Sequence, residues 1–242
     1  MFSVDVLTNL LYPPACLLCH TPLPGCPADR LFCERCAQTI EPNGPPVCAL
    51  CGAEIAGAFD AVARCARCRE QPPAFDAARA PWRYADGGRQ ALRQFKYHGR
   101  WRIGRWLARG MTGAARRDLP VEAIDLVVPV PRHWIKIRLR GGAPACDLAR
   151  RIARALGAPY RVSALRQVRW TRSQTRLPWR RRVRNVRGAF AAAPRAVRGR
   201  TILLVDDVVT SGATAHACAQ ALKTAGAQRV FVLSAARTPL DR

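Results

Sequence analysis

Acidic side chains are what this sequence is short of. Forty lysines and arginines face only 16 aspartates and glutamates, a formal charge of +24. The shortage is uneven: residues 1–70 hold 7 acids against 5 bases, and residues 71–242 hold 9 against 35. Between Leu148 and Val205 there is no acid at all, while 16 arginines fall there. A field of that sign attracts polyanions, whether nucleic acid, a membrane surface or a phosphorylated metabolite. Lysine is scarce too, at three residues, which fits an arginine-favouring coding bias that merely scatters solvated charge. Both readings of the basic surface stay open. Long apolar runs are also missing. No stretch reaches the roughly 18 residues that span a bilayer, so no membrane insertion is expected. Met1–Tyr12 lacks a basic leading region and a small-residue cleavage site, which argues against a secretory signal. It reads as a short amphipathic helix ending at Pro13-Pro14, and the chain as cytoplasmic.

Cysteine, by contrast, is abundant and concentrated. Nine of the 11 lie within Cys16–Cys68, eight of them in CxxC pairs. The spacing repeats: Cys16-x2-Cys19 and Cys33-x2-Cys36 enclose thirteen residues, as do Cys48-x2-Cys51 and Cys65-x2-Cys68. Each CxxC offers two thiolates from one tight turn, and two such turns complete a tetrahedron around Zn²⁺. Four thiolates leave no open coordination position, so two structural zinc sites are expected, not catalytic ones. Sequential pairing within each copy is the simplest scheme, although a cross-braced one satisfies the same spacing. A module of this size, rich in proline and glycine, buries little apolar surface, and metal binding supplies the missing folding energy. Cys26, Cys146 and Cys218 have no such partners and read as small apolar fillers.

Pro72-Pro73 marks a boundary between a zinc module at 1–70 and a second domain at 75–242. In the second, Ala78–Tyr84 reads as a strand, and Asp86 as the cap of a helix carrying Leu92, Phe95 and Lys96. Trp101–Arg116 reads as another helix. Ile124–Val130 and Thr201–Val205 are unbroken apolar runs, as buried parallel strands are. Cys146–Leu156 and Ala213–Ala225 read as helices, and Arg229–Ser234 as a further strand. Strands alternating with helices predict an α/β fold with a mainly parallel, doubly wound sheet.

One segment carries chemistry: Thr201-Ile-Leu-Leu-Val-Asp-Asp-Val-Val-Thr-Ser-Gly-Ala-Thr214. An apolar strand leads to two adjacent acids, then a loop of small hydroxyl residues and glycine opens a helix. Ligands of open α/β sheets bind beyond the carboxyl ends of the strands. A helix amino terminus offers free N–H groups and positive dipole, which suits a phosphate. Gly212 lets the backbone approach closely, while Thr210, Ser211 and Thr214 add hydroxyl donors. Asp206 and Asp207 lie about one sugar width upstream, placed to accept hydrogen bonds from ribose hydroxyls. A phosphate pocket beside a diol pocket describes a 5-phosphoribosyl group.

Val205–Thr214 resembles the phosphoribosyl pyrophosphate (PRPP) motif of type I phosphoribosyltransferases. With the tandem CxxC module, the whole chain resembles the ComF family. Further matches are Phe95-Lys-Tyr-His-Gly99, Val128-Pro-Val-Pro131, Arg140-Gly141, Gln174 and the run Arg180–Phe190, which contains Asn185 and Gly188. The resemblance implies that Asp206 and Asp207 hold the ribose of PRPP. Val209, Thr210, Ser211, Gly212, Ala213 and Thr214 would wrap its 5′-phosphate. Val130–Arg132 would form the pyrophosphate loop, with Arg132 and Mg²⁺ on the pyrophosphate. It also implies a role in natural competence, beside a helicase-like ATPase. The family usually continues Arg-Gly with Phe-Asn-Gln, whereas Arg140-Gly141 is followed here by Gly142-Ala143-Pro144. If those side chains line the site of the second substrate, this chain contacts it differently or lacks it.

Two function classes follow. One is a binding protein that keeps the PRPP site and uses its basic surface on single-stranded DNA. The other is an enzyme transferring 5-phosphoribosyl to an acceptor. Arg180–Arg187, with Trp170 and Trp179 nearby, reads equally as an active-site arm, a groove for single-stranded nucleic acid or a solvated loop. Lys96 reads as a phosphate contact or, slightly better, as a solvated lysine. His98, His133 and His216 are not spaced as metal ligands.

Overall fold

The computed structural model describes residues 14–23, 30–55, 63–132, 143–171 and 184–239. The expected Met1–Tyr12 helix lies outside them, as do Cys26, His133, Arg140–Gly142, Gln174, Trp179 and Arg180–Arg182.

The second part of the chain builds a five-stranded, wholly parallel sheet. Its strands are β1 (Ala77–Arg79), β2 (Trp82–Arg83), β3 (Leu126–Pro129), β6 (Thr201–Val209) and β7 (Arg229–Arg237). The order is β1-β7-β6-β3, with β2 also on β7. β4 (Leu165–Gln167) and β5 (Phe190–Ala192) form a separate antiparallel pair. The single strand expected at Ala78–Tyr84 is broken in two. β1 pairs Ala77–Arg79 with Phe231–Leu233, and β2 resumes at Trp82 opposite Ala236. Pro81 has no N–H to give the ladder, which accounts for the gap.

The helices are α1 (Glu34–Gln38), α2 (Ala66–Glu70), α3 (Asp86–His98), α4 (Trp101–Asp118), α5 (Pro144–Leu156), α6 (Pro194–Val197) and α7 (Ala213–Thr224). α3 starts behind Ala85, so Asp86 sits in its first turn and makes no side-chain cap. There its charge still suits the helix dipole. α5 begins at Pro144, the helix position where proline loses nothing, because its N–H would be unpaired anyway.

Alternation along the strands divides the core. Leu203, Val205, Phe231 and Leu233 pack with Leu107, Met111, Leu148 and Ile152 of α4 and α5. Ile202, Leu204, Val230 and Val232 face the other way, against Cys218 and Leu222 of α7. The sheet is thus covered on both faces, as an all-parallel sheet must be.

The described residues of the two cysteine repeats pack into the two faces of the sheet's core. The first packs into the α3–α4–α5 face, where Cys16, Leu17, Leu18 and Phe32 join Ala91 and Leu107. Phe32 meets the Trp106 ring edge-on at 5.2 Å, and Trp106 stacks on Trp82 at 4.1 Å. The second repeat packs into the opposite face, where Cys48, Cys51, Cys65 and Cys68 join Ala78, Val209 and Val232. The Ala78 N–H donates to Leu50 O at 2.7 Å, and Arg79 Nη1 donates to Ala49 O at 3.0 Å.

Candidate functional site

β6 is longer than its apolar run. It continues through both acids to Val209 because β7 supplies ladder partners all the way: Asp206 opposite Ser234, Val208 opposite Ala236, Val209 opposite Arg237. β3 stops earlier, with Pro129 opposite Val205, and the Val130 N–H closes on Val205 O at 2.8 Å. Asp206 and Asp207 therefore stand where β6 has lost its neighbour on one side. That crevice beyond a strand end is where α/β sheets bind ligands.

Asp207 is almost completely buried, with 4% of its surface exposed. Lys96 Nζ lies 2.9 Å from one carboxylate oxygen and Arg132 Nη2 lies 2.6 Å from the other. α3 delivers Lys96 from its last turn, and the chain just past β3 delivers Arg132. A carboxylate this buried needs such partners, since an unpaired charge there is costly. Lys96 is thus no solvated lysine: Phe95 beside it is buried in the core, so the helix flank that carries Lys96 turns over the sheet edge. The Asp207 N–H donates to Asp206 Oδ1 at 2.8 Å. Burial, and then the charge of Asp207, push the Asp206 carboxyl up to about 7, against the pull of Arg132 and Lys96. Near neutrality it is poised between acid and carboxylate.

Val209–Thr214 turns from β6 into α7. Gly212 is the residue before the helix, with φ +78°, a left-handed conformation that glycine adopts without strain. Among the described residues no side chain caps α7; the Ala213 N–H only makes a long bond to the Ser211 hydroxyl oxygen, at 3.4 Å. Val209 and Ala213 are buried, Thr210 is exposed, and Ser211, Gly212 and Thr214 are half-buried. This turn presents amide donors and roughly half a positive charge from the helix dipole. Next to Arg132, a cavity of about 250 Å³ is lined mainly by apolar residues, among them Val130, Ala143, Cys146, Val162 and Leu165. His216 lies apart from all this. Its Nδ1 accepts the Ala74 N–H at 3.0 Å, and burial pulls its pKa down.

The eight CxxC cysteines gather into the two sequential sets, Cys16-Cys19-Cys33-Cys36 and Cys48-Cys51-Cys65-Cys68. In each set the four sulfurs lie within 4.8 Å of one another. Cys19 and Cys33 sulfurs are 3.7 Å apart, and those of Cys51 and Cys65 are 3.8 Å apart. Zn–S bonds of about 2.3 Å in a tetrahedron place sulfurs about 3.8 Å apart, so both sets fit structural Zn²⁺. The cross-braced pairing does not occur. Cys218 is fully buried, as expected of a filler.

Residues 7–72 match the family model of the double zinc ribbon domain, and residues 140–239 match that of the phosphoribosyl transferase domain. Parallel sheet and cysteine sets together define a phosphoribosyltransferase-fold protein that carries a double zinc ribbon. DNA utilization protein YhgH of Salmonella typhimurium is 31% identical over 236 residues, covering 95% of this chain and 99% of the relative. Competence protein F of Haemophilus influenzae is 27% identical over 215 residues, covering 87% of this chain and 92% of the relative. An amidophosphoribosyltransferase of Escherichia coli is 32% identical over 114 residues, 47% of this chain and 20% of that one. The chain belongs to the ComF family, which these full-length relatives represent.

Proposed function

We propose that this protein binds PRPP with Mg²⁺ in the crevice at the end of β6, and that it serves in the use or uptake of DNA. The observation that carries the ligand reading is the Asp207 carboxylate clamped between Lys96 and Arg132, directly before an uncapped helix amino terminus. Such a cluster offers acceptors for a ribose diol and cations for a pyrophosphate within one side-chain length of each other. The amides and hydroxyls of Val209–Thr214 would take the 5′-phosphate. Asp206 and Asp207 would accept from the ribose hydroxyls. Arg132 and Lys96, each held now by one oxygen of Asp207, would share themselves with the pyrophosphate oxygens. Mg²⁺ would ride on those same oxygens and neutralise their charge.

Support for a role with DNA comes from two sides. The relatives are named for competence and DNA utilization. Of the eleven arginines described between Leu148 and Val205, all but Arg151 are exposed. Trp170 and Val168 are exposed among them. Arginines that track phosphates beside an exposed aromatic suit single-stranded DNA. Binding should weaken steeply with salt, by about −0.7 in log affinity per log salt for each phosphate contacted. Replacing Arg180, Arg181 and Arg182 with alanine should flatten that slope by about 2 and leave PRPP affinity intact. Loss of PRPP binding with unchanged DNA binding would turn that cluster into an active-site arm. A helicase-like ATPase remains the kind of partner the family suggests.

A transferase reading is favoured by the cavity beside Arg132. It adjoins the place a pyrophosphate would leave, and Ala143, one of the residues that replace the family's larger side chains, lines it. Asp206 and Asp207 would then hold the sugar as positive charge develops on it, and Arg132 would stabilise the departing pyrophosphate. Pyrophosphate release on addition of a base or amine to the PRPP-loaded protein tests this reading.

A further inference from the structure

Arg237, the last residue of β7, is an uncomfortable charge. Only 2% of it is exposed. Among the described residues, none of its three guanidinium nitrogens has a hydrogen-bond partner, and neither does the buried hydroxyl of the next residue, Thr238. Arginine stays charged in proteins, and a buried charge without compensation is strongly destabilising. The carboxylates on its ladder partner Arg83, those of Glu41 and Glu54, are committed to Arg83 itself. Burial pulls the Arg237 pKa below its ordinary value, and the charges that act on it next are those of Cys51, Arg67, Cys68 and Cys65, the cysteines opposing that pull. The sheet geometry agrees. Arg237 is the ladder partner of Val209, and Val209 packs in the same buried cluster as the four cysteines of the second set.

We propose that Arg237 is the buried counter-cation of the second zinc site. Four thiolates on Zn²⁺ carry a net charge of −2. The first set faces water, since Cys19, Cys33 and Cys36 are all partly exposed, whereas every cysteine of the second set is buried. Water screens the first charge. In the second, that task falls to protein, and Arg67 with Arg237 bring the sum to zero. Arg237 acts across space, as a fixed positive charge that offsets the net negative charge of the second site and so helps to retain the metal. Its backbone is fixed by β2 and by the end of β6. The Arg237 carbonyl accepts the Tyr84 N–H at 2.7 Å, and the Thr238 N–H donates to Val209 O at 3.0 Å. The inference stands whether or not PRPP is the ligand, because it concerns zinc retention alone.

The test is zinc release from the full-length, zinc-loaded protein into excess chelator, followed with a metal indicator. Two phases are expected, the faster from the half-exposed first set, which Cys19→Ser removes. Arg237→Met should speed the slower phase about tenfold or more and leave the faster one unchanged. Arg237→Lys, which keeps the charge, should restore most of the retention. Release of the second zinc from Arg237→Met at the wild-type rate, or equal acceleration of both phases, would overturn the proposal. So would a lysine variant as leaky as the methionine one, because packing alone would then explain the effect. Cobalt(II) exchanged for zinc in the wild type and in Arg237→Lys gives a reading that does not depend on the methionine variant folding. Moving the cation should shift the sulfur-to-cobalt charge-transfer band of the second site, and an unmoved band counts against the proposal.

Discussion

The two cysteine sets have the same spacing and opposite surroundings. The first, Cys16 to Cys36, lies under α3 and α4 with three of its four cysteines partly exposed; the second, Cys48 to Cys68, is sealed against the back of the sheet. Each begins with a knuckle whose next residue is left-handed, at φ +64° for His20 and +65° for Gly52. His20 is exposed and has room for a side chain. Gly52 lies so close to the Ala78 carbonyl of β1 that a Cβ would collide with backbone. A repeat in sequence thus becomes a peripheral clasp in one copy and part of the domain core in the other. Ionisation is split within both sets, and in the first, burial and then the bonds to Cys19 and Cys33 drive Cys36 up. Hydrogen bonds from Thr21 draw the Cys19 thiol down to about 6. In the buried set, hydrogen bonds from Cys51 and Cys68 draw Cys48 far down, and the bond to Cys48 drives Cys68 far up. Thiols packed this tightly cannot all ionise unless a cation joins them.

The sharpest way to break this contrast is to remove one ligand from each set. Cys65→Ser should cost most of the protein's stability, on the order of 5 kcal/mol or more, and take the sheet with it. Cys19→Ser should lose one zinc yet leave a folded α/β domain. Zinc content and thermal unfolding of the two variants check this, and equal damage would erase the distinction. Next in size is Gly52→Ala. A left-handed φ and a backbone collision together should cost about 2–4 kcal/mol. The matching change His20→Gly should stabilise by about 0.5–1 kcal/mol, because glycine adopts that φ freely. Urea unfolding midpoints should therefore move in opposite directions at these two equivalent positions.

Asp206 and Asp207 repeat the lesson on a smaller scale. They are neighbours of one type, but Asp207 has two cations and Asp206 has burial and a negative neighbour. The Asp206 pKa is raised when folded, from an ordinary 3.8 to about 7. Between those values the native state binds the extra proton, so stability falls as pH rises through that window and levels off above it. Asp206→Asn should remove this slope and, above pH 7, leave the protein more stable by roughly 1–3 kcal/mol. Unfolding curves at pH 5 and pH 8 test it; a wild-type stability that rises between them would contradict the assignment.

Much of this was legible in the residues. The thirteen-residue spacing between CxxC pairs gave both metal sets, and apolar runs gave β3 and the start of β6. The run Asp206–Thr214 marked the end of β6 and the glycine turn into α7. What was hidden depended on neighbours distant in the chain. β6 outlasts its apolar stretch because β7 pairs with it to Val209, and β7 outlasts Ser234 for the same reason. Lys96 looks like any lysine late in a helix until α3 is laid over the end of β6. Arg237 carries no local signal of burial, since its burial depends on the chain distant in sequence that covers the end of β7.

PRPP binding is the claim on which the rest of the functional account turns, and calorimetric titration of the zinc-loaded protein tests it most directly. With Mg²⁺ present, the heat should saturate at one PRPP per chain. Asp207→Asn should weaken binding by roughly 1.5–3 kcal/mol, the worth of hydrogen bonds to a charged acceptor. Absence of heat from a folded chain carrying both zinc ions would contradict the account.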